Sequence, residues 1–181
     1  MGDNMKTIIK KIIEKKSLAA IYTNKKDSEK FTVAIVLYSD GEFIFCKCYD
    51  DSGDFDGYEI KRIDNIFLIE LQGEYLEALS IKNDTEFFEY EKYKDCIKLL
   101  RDIVVRNDYC ISVELVNSGN FDVRGKIILI EDDYISCQTY RNDGQKDAIS
   151  FFLLRDISCM TIHSQEDIEM EKIIADIEIH M

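Results

Sequence analysis

The first sixteen residues place apolar side chains at the spacing of one face of an α-helix. Isoleucine and methionine recur every three or four positions, and lysines fill the opposite side. Because such a pattern buries one stripe of a helix and leaves the other in water, it predicts an amphipathic helix over residues 4–16. The apolar positions are Met5, Ile8, Ile9, Ile12 and Ile13.

After this helix the pattern changes to short runs rich in Ile, Val, Phe and Tyr. Turn residues separate these runs. Such runs are typical of strands in an antiparallel meander. The first series covers residues 18–24, 31–39, 42–50, 57–63 and 65–71. The second series covers residues 109–117, 121–131, 133–141, 147–154 and 156–162. We therefore predict two sets of five strands.

The two series are copies of one unit, displaced by 91 positions. Apolar, cysteine and turn residues coincide at this offset, for example Ile44 with Ile135, Cys46 with Cys137, Tyr49 with Tyr140 and Gly53 with Gly144. The helix recurs as well, with Cys96, Leu99, Leu100, Ile103 and Val104 at its apolar positions. The repeat predicts that both halves of the chain have the same architecture.

A segment over residues 73–90 connects the copies, and we predict a short helix at 74–79 followed by a turn at 82–85. A further helix, predicted over 165–177, closes the chain. We place the domain boundary between residues 82 and 83, giving units 1–82 and 83–181. Proline is absent and no Gly/Ser-rich linker separates the units, so we expect them to pack against each other.

A helix followed by a five-stranded antiparallel meander resembles the Sm-like small barrel. Three segments are similar to the two signature strands of that family: Val123-Arg124-Gly125-Lys126-Ile127, Asp133-Tyr134-Ile135-Ser136 and Leu154-Arg155-Asp156-Ile157. The resemblance implies a mainly β chain with flanking helices (α+β), organised as two tandem five-stranded Sm-like or SH3-like barrels, each preceded by an α-helix. Ile135 or Ser136 stands in the place of the family's base-holding Asn, so the resemblance implies a barrel without its RNA pocket.

Composition indicates an ordered protein. The chain is 46% hydrophobic and has 10 Phe and 10 Tyr, which is sufficient for packed cores. No apolar run approaches the roughly 18 residues of a membrane span, and we expect a cytoplasmic protein that does not bind membranes. In that compartment its six cysteines are expected to be thiols.

The formal charge of −13 is unevenly distributed. Residues 1–82 carry 12 basic and 15 acidic side chains, whereas residues 83–181 carry 11 and 21. A strongly acidic chain disfavours general nucleic-acid binding, which depends on Lys and Arg contacts to phosphates. The lysine side of the first helix is the main basic stripe.

No group of residues has the pattern of a catalytic or metal site. The acidic loop over residues 50–59 does not fit the spacing of a calcium-binding loop. Cys46 and Cys48 lack the further Cys or His ligands that zinc requires. Neither His163, which follows the last predicted strand, nor His180 resembles a positioned general base. We therefore predict no enzyme, no metal and no cofactor.

The remaining hypothesis is a non-catalytic binding or assembly module that holds a protein partner or self-associates. Two alternatives stay open: a Sm-like RNA-binding protein, and an acidic inhibitor or immunity-type protein that masks a basic surface. The predicted interaction surface consists of aromatic strand residues and two helix lysines: Phe43, Phe45, Tyr49, Tyr134, Tyr140, Lys10 and Lys11.

Overall fold

The computed structural model describes residues 2–25, 27, 29–82, 90, 92–93, 95–116 and 118–180. The chain divides into two compact units, Met1–Leu99 and Leu100–Met181. The boundary predicted between residues 82 and 83 adjoins residues 83–89, which lie outside the described residues. Most of the predicted turn at 82–85 lies there as well.

The first unit consists of one helix, five strands and a second short helix. They are α1 (Gly2–Lys15), β1 (Leu18–Tyr22), β2 (Thr32–Ser39), β3 (Phe43–Tyr49), β4 (Phe55–Arg62), β5 (Leu68–Leu71) and α2 (Glu74–Ala78). All strand pairs are antiparallel, and the strands follow the order β5-β1-β2-β3-β4. The helix α3 (Cys96–Leu100) follows in the chain.

The second unit repeats this plan. After a π-helical segment, Arg101–Val105, come β6 (Cys110–Leu115), β7 (Phe121–Ile130), β8 (Tyr134–Tyr140), β9 (Lys146–Leu153), β10 (Ile157–Ile162) and the closing helix α4 (Gln165–His180). The order is β10-β6-β7-β8-β9, again antiparallel. Each strand takes the place of the strand with the same rank in the first unit.

The predicted class, mainly β with flanking helices, is confirmed. Among the described strands, β4 does not pair with β5 in the first unit, and β9 does not pair with β10 in the second. The strands therefore form an open antiparallel sheet, and the hydrogen bonds between described strands do not close the strands of either unit into a barrel.

The repeat extends to the hydrogen bonds of the turns. The amide of Asp40 donates to the carbonyl of Phe43 at 3.3 Å, and at the equivalent place the amide of Glu131 donates to the carbonyl of Tyr134 at 2.9 Å. The next hairpin matches too, because Gly53 and Gly144 both adopt positive φ angles, 80° and 78°. Glycine reaches this left-handed region without steric cost.

The core of the first unit lies between α1 and the sheet. Ile9 and Ile12 point from the helix into a cluster with Ala19, Ile21, Ala34, Val36, Ile44 and Cys46. Burial of this stripe accounts for the apolar periodicity of α1, since the lysines on the other side remain in water. The side of the sheet that α1 covers is therefore occupied by the core.

The closing helix of the second unit is fixed by a reciprocal cap. The backbone amide of Ser164 donates to the carboxylate of Asp167 at 3.1 Å, and the amide of Asp167 donates back to Ser164 Oγ at 3.2 Å. This capping box satisfies two amides that a helix start leaves without intrahelical partners. Met170 and Ile174 then pack from α4 onto Cys110 of β6.

Candidate functional site

Several exposed apolar side chains of the second unit lie together on one side of β7, β8 and β9. Leu129 and Phe151 are the cross-strand neighbours of Ser136, and Ile149 is paired with Gln138. Directly paired residues point to the same side of a sheet, and side chains alternate along each strand, so these residues share a face. We name it the β9 face, and its members are Leu129, Tyr134, Ile149 and Phe151.

Two side chains of the β9 face are strongly exposed. Phe151 retains 70% of its accessible surface and Ile149 retains 55%. The half-buried ring of Tyr134 lies beside Phe151, with 6.2 Å between the ring centroids. Single exposed apolar residues are common on proteins, but a contiguous apolar group with polar surroundings marks an interaction site.

The strand that carries Ile149 and Phe151 also has an open edge. One side of β9 pairs with β8, and none of the described strands pairs with the other side. The backbone amides and carbonyls on that side are therefore available to an added strand. Addition of a strand to a sheet edge, with side-chain pockets beside it, is a recurring mode of peptide recognition.

No family model, curated protein or solved structure matches this chain. The residues themselves are therefore the basis for assigning a function.

The structure separates the predicted aromatic surface residues into two groups. Phe43, Phe45 and Tyr49 are buried in the first unit, where Phe45 stacks on Tyr58 with 5.3 Å between ring centroids. They are not surface residues, because β3 is buried on both of its sides along its whole length.

In the second unit the predicted aromatic residues are half-buried. Tyr134 belongs to the β9 face. Tyr140 packs against the cluster formed by Cys110, Met170 and Ile174, so much of its ring contributes to the attachment of α4. Of the five predicted aromatic residues, the structure thus places Tyr134 in an exposed apolar group.

The two predicted helix lysines are on the surface. Lys10 and Lys11 are exposed on α1, on the side opposite the buried Ile9 and Ile12. They lie in the first unit and do not belong to the β9 face.

Sequence reasoning did not single out Ile149 and Phe151. The available signal was the consecutive pair Phe151-Phe152, since successive side chains of a strand point to opposite sides. Phe152 is buried and Phe151 is exposed. One of two adjacent phenylalanines on an edge strand is therefore on the outside, although the sequence does not say which.

An acidic turn borders the β9 face. Glu131, Asp132 and Asp133 connect β7 to β8, and all three are exposed. The face thus has an apolar centre and a negatively charged rim, which is the usual anatomy of a protein interface.

A cysteine, a histidine and a glutamate lie together around Cys110. His163 Nδ1 lies 3.3 Å from Glu171 Oε2, and Glu171 Oε1 accepts a hydrogen bond from the amide of Cys110 at 2.7 Å. Burial, with a further contribution from Glu171, raises the pKa of the Cys110 thiol to about 12. Because the thiolate is the nucleophile, this cysteine is inert near neutral pH. The cluster serves to attach α4 to β6.

The other cysteines that carry resolved shifts behave similarly. Burial raises the pKa of Cys137 to about 12, and burial together with Asp40 raises the pKa of Cys96. All six thiols are buried.

We expect Ellman's reagent at pH 8 to react with almost none of the six buried thiols in the native protein and with all of them after unfolding in guanidinium. Rapid native labelling would show that these side chains are accessible.

The acidic loop after β3 is a hydrogen-bonded turn. Asp50 Oδ1 accepts the backbone amides of Ser52 and Asp54, each at 2.9 Å, and Asp54 pairs with Lys82 at 2.9 Å. Within the described ranges no three His, Cys, Asp or Glu side chains are grouped to hold a metal ion. In the same part of the chain we find no helix with the length and apolar content of a membrane span.

Lys47 and Lys61 of the first unit are buried, and their charged groups contact other side chains of the same unit. Lys61 Nζ lies 2.7 Å from Glu59 Oε2. The ammonium of Lys47 lies 5.9 Å from the ring centroid of Tyr49 and 5.7 Å from that of Phe55. An ion pair and cation–π contacts of this kind offset the cost of removing charge from water.

Proposed function

We propose that this chain is a non-catalytic binding or assembly module and that the β9 face is where it holds a protein partner. The observation that carries this proposal is the exposure of Ile149 and Phe151 on a strand with an open edge. A partner that adds a strand to β9 and covers Phe151 would remove the largest apolar group of the face from water. Burial of such aromatic anchors provides most of the energy of many interfaces.

We also propose that each unit is a divergent member of the Sm-like small barrels. The repeated order of one helix followed by five antiparallel strands supports this assignment. The repeat of turn hydrogen bonds supports a common origin for the two units. The assignment concerns ancestry and fold, and the function rests on the β9 face.

A protein partner is favoured over RNA by the chemistry of the second unit. The positions in the place of the family's base-holding Asn, Ile135 and Ser136, are both buried. The turn that borders the β9 face carries the acidic residues Glu131, Asp132 and Asp133, which repel phosphates. The partner surface that this rim fits carries basic residues around an apolar centre.

Photo-cross-linking tests the proposal directly. A benzophenone amino acid replaces Phe151 in the full chain, and the matched control replaces Tyr75, an exposed aromatic residue on α2 of the first unit. We expect irradiation in native lysate to attach position 151, and not position 75, to one defined protein. The adduct should decrease at least several-fold when Ile149→Ser is added, because that change removes the neighbouring apolar contact.

Two results would contradict the proposal. The first is the absence of any adduct at position 151 at native expression levels. The second is the formation of the same adducts at both positions, which would indicate contact without specificity. Circular dichroism of Ile149→Ser provides the folding control, since Ile149 is exposed and its replacement leaves the core intact.

A further inference from the structure

We infer that the first unit binds a small aromatic zwitterion, with the chemistry of a free aromatic amino acid, in a cavity beside the end of α1 and the end of β5. The inference concerns the first unit and is independent of the β9 face, which belongs to the second. It follows from comparing the residues that occupy the same place in the two repeats.

The cavity has a volume of about 300 Å³. Leu18, Leu71 and Leu76 contribute apolar walls, and Ser17 and Gln72 contribute groups that can form hydrogen bonds. Small-molecule sites are clefts of roughly 300–1,000 Å³ with mostly apolar walls and a few polar groups. The cavity of the first unit therefore has the size and lining for a molecule with a single ring.

The second unit has an equivalent place, which strand pairing identifies. Ala20 of β1 lies opposite Glu70 of β5. Ser112 of β6 lies opposite Thr161 of β10. The copies are thus offset by 92 positions along the first strand of the unit and by 91 along the last. The extra residue is explained by the π-helical segment Arg101–Val105, because a π-helical turn accommodates one more residue than an α-helical turn.

The backbone next to the cavity confirms this equivalence. At the junction of helix and first strand, Lys16 has a φ angle of 48° and Asp108 has a φ angle of 54°. After the last strand, Gln72 has a φ angle of 58° and His163 has a φ angle of 56°. Residues other than glycine seldom adopt this left-handed region. The same two unusual backbone positions therefore occur in both copies.

Two stacked rings occupy the equivalent place in the second unit. Tyr109, the counterpart of Ser17, stacks on His163, the counterpart of Gln72, with 4.1 Å between the ring centroids and 28° between the ring planes. Both rings are half-buried. The second copy thus fills with its own aromatic side chains a place that the first copy leaves open. A planar ring is the shape that this part of the fold accommodates.

Two charged side chains define the rest of the ligand. Lys15, the last residue of α1, and Glu77 of α2 both line the cavity, and both are exposed. A carboxylate is attracted to the lysine and an ammonium group to the glutamate. A free aromatic amino acid carries both groups on one carbon atom, with the ring one methylene group away. A ligand with a single charge would meet a like charge at one of these two side chains.

Titration of the full chain with L-phenylalanine, followed by amide NMR spectra, tests the inference. We expect the amide signals of Ser17, Leu18 and Gln72 to shift and to saturate with a Kd of about 1 mM or below, the range that a ligand of about twelve non-hydrogen atoms reaches. Hydrocinnamate lacks the ammonium group and phenethylamine lacks the carboxylate. Each should bind about two- to fivefold more weakly, the scale of one exposed charge pair. L-Alanine lacks the ring and should cause no saturable shift.

Variants of the lining residues locate the site. Ser17→Tyr combined with Gln72→His introduces the ring pair of the second copy and should abolish binding, because the cavity is then filled; circular dichroism checks the fold. Lys15→Met leaves the cavity open and should weaken L-phenylalanine binding about two- to fivefold. The matched control is Lys10→Met, since Lys10 is exposed on the same helix and does not line the cavity. Lys15→Met should not weaken the binding of phenethylamine, which has no carboxylate.

Several outcomes would overturn the inference. They are the absence of saturable shifts up to about 10 mM L-phenylalanine, unchanged affinity in the folded double variant, and equal affinities of Lys15→Met and Lys10→Met. Equal binding of L-phenylalanine and its two singly charged analogues would exclude the zwitterion. If the double variant does not fold, the two lysine variants decide the result. Cross-linking at position 151 is independent of these measurements, so the proposed function stands or fails separately.

Discussion

The variant Gly125→Ala is expected to lower the free energy of unfolding of the second unit by about 3 kcal/mol. Gly125 lies in β7 opposite Thr139 of β8. A methyl group at this position would lie 2.0 Å from the backbone carbonyl oxygen of Gln138, a distance that no relaxed contact has. Because the obstacle is the backbone of a paired strand, the two strands have to move apart and the local ladder is lost.

Thermal unfolding followed by circular dichroism measures this effect, and a loss of this size corresponds to a decrease in Tm of roughly 10 °C. Gly73→Ala is the matched control, because a methyl group there meets nothing within 4 Å. Its effect should stay below about 1 kcal/mol, the scale of changes at a helix start. Equal Tm values for the two variants would contradict the close approach of β7 and β8.

The first repeat provides a comparison for the packing around Gly125. Its equivalent position is Ala34, which is buried in the core of the first unit. The same place in the unit therefore accommodates a methyl group in one copy and excludes it in the other. Replacement of Gly125 by alanine, the residue at the equivalent position of the first repeat, should still destabilise the protein. The packing around this position therefore differs between the two repeats.

We expect a second large effect from Asp167→Ala, about 3 kcal/mol of lost stability. The carboxylate of Asp167 is fully buried and accepts hydrogen bonds from Ser112 Oγ at 2.8 Å and from Thr161 Oγ1 at 3.0 Å. It also accepts the amide and hydroxyl of Ser164. Alanine removes the cap of α4 and leaves buried hydroxyl groups without their acceptor.

Urea unfolding at neutral pH gives the free energy for this variant and for its control, Glu169→Ala. Glu169 lies on the same helix and is exposed, so its replacement should change stability by less than about 0.5 kcal/mol. An unchanged transition midpoint in Asp167→Ala would mean that α4 is held by its apolar residues alone. The m value should remain constant, because both variants unfold the same surface.

Local patterns were sufficient to predict the helices and strands, because alternation, helical spacing and turn residues act over a few positions. The clearest displacement is β5, predicted from residue 65 and observed from Leu68. A 3₁₀ turn, Ile63–Asn65, precedes the strand. The π-helical segment Arg101–Val105 had no signal, since its apolar residues fit an α-helix equally well.

Local patterns could not predict whether the strands close into a barrel. They also could not predict which side of a strand is buried. Whether β4 meets β5 depends on pairing between distant segments and on the curvature of the sheet. The segment that became β3 alternates Ile44, Cys46 and Cys48 with Phe43, Phe45 and Lys47, and either set was a reasonable core. Both sets are buried, which is why the predicted aromatic surface of the first repeat was absent.

Ile60 on β4 is buried, whereas its equivalent Phe151 on β9 is exposed, and this contrast has a consequence for how the two copies tolerate substitution. A polar side chain at position 60 would enter a packed interior and destabilise the fold. The same side chain at position 151 would remain in water and leave the fold in place. The equivalent position is therefore constrained by stability in the first copy and free to vary, as far as stability is concerned, in the second.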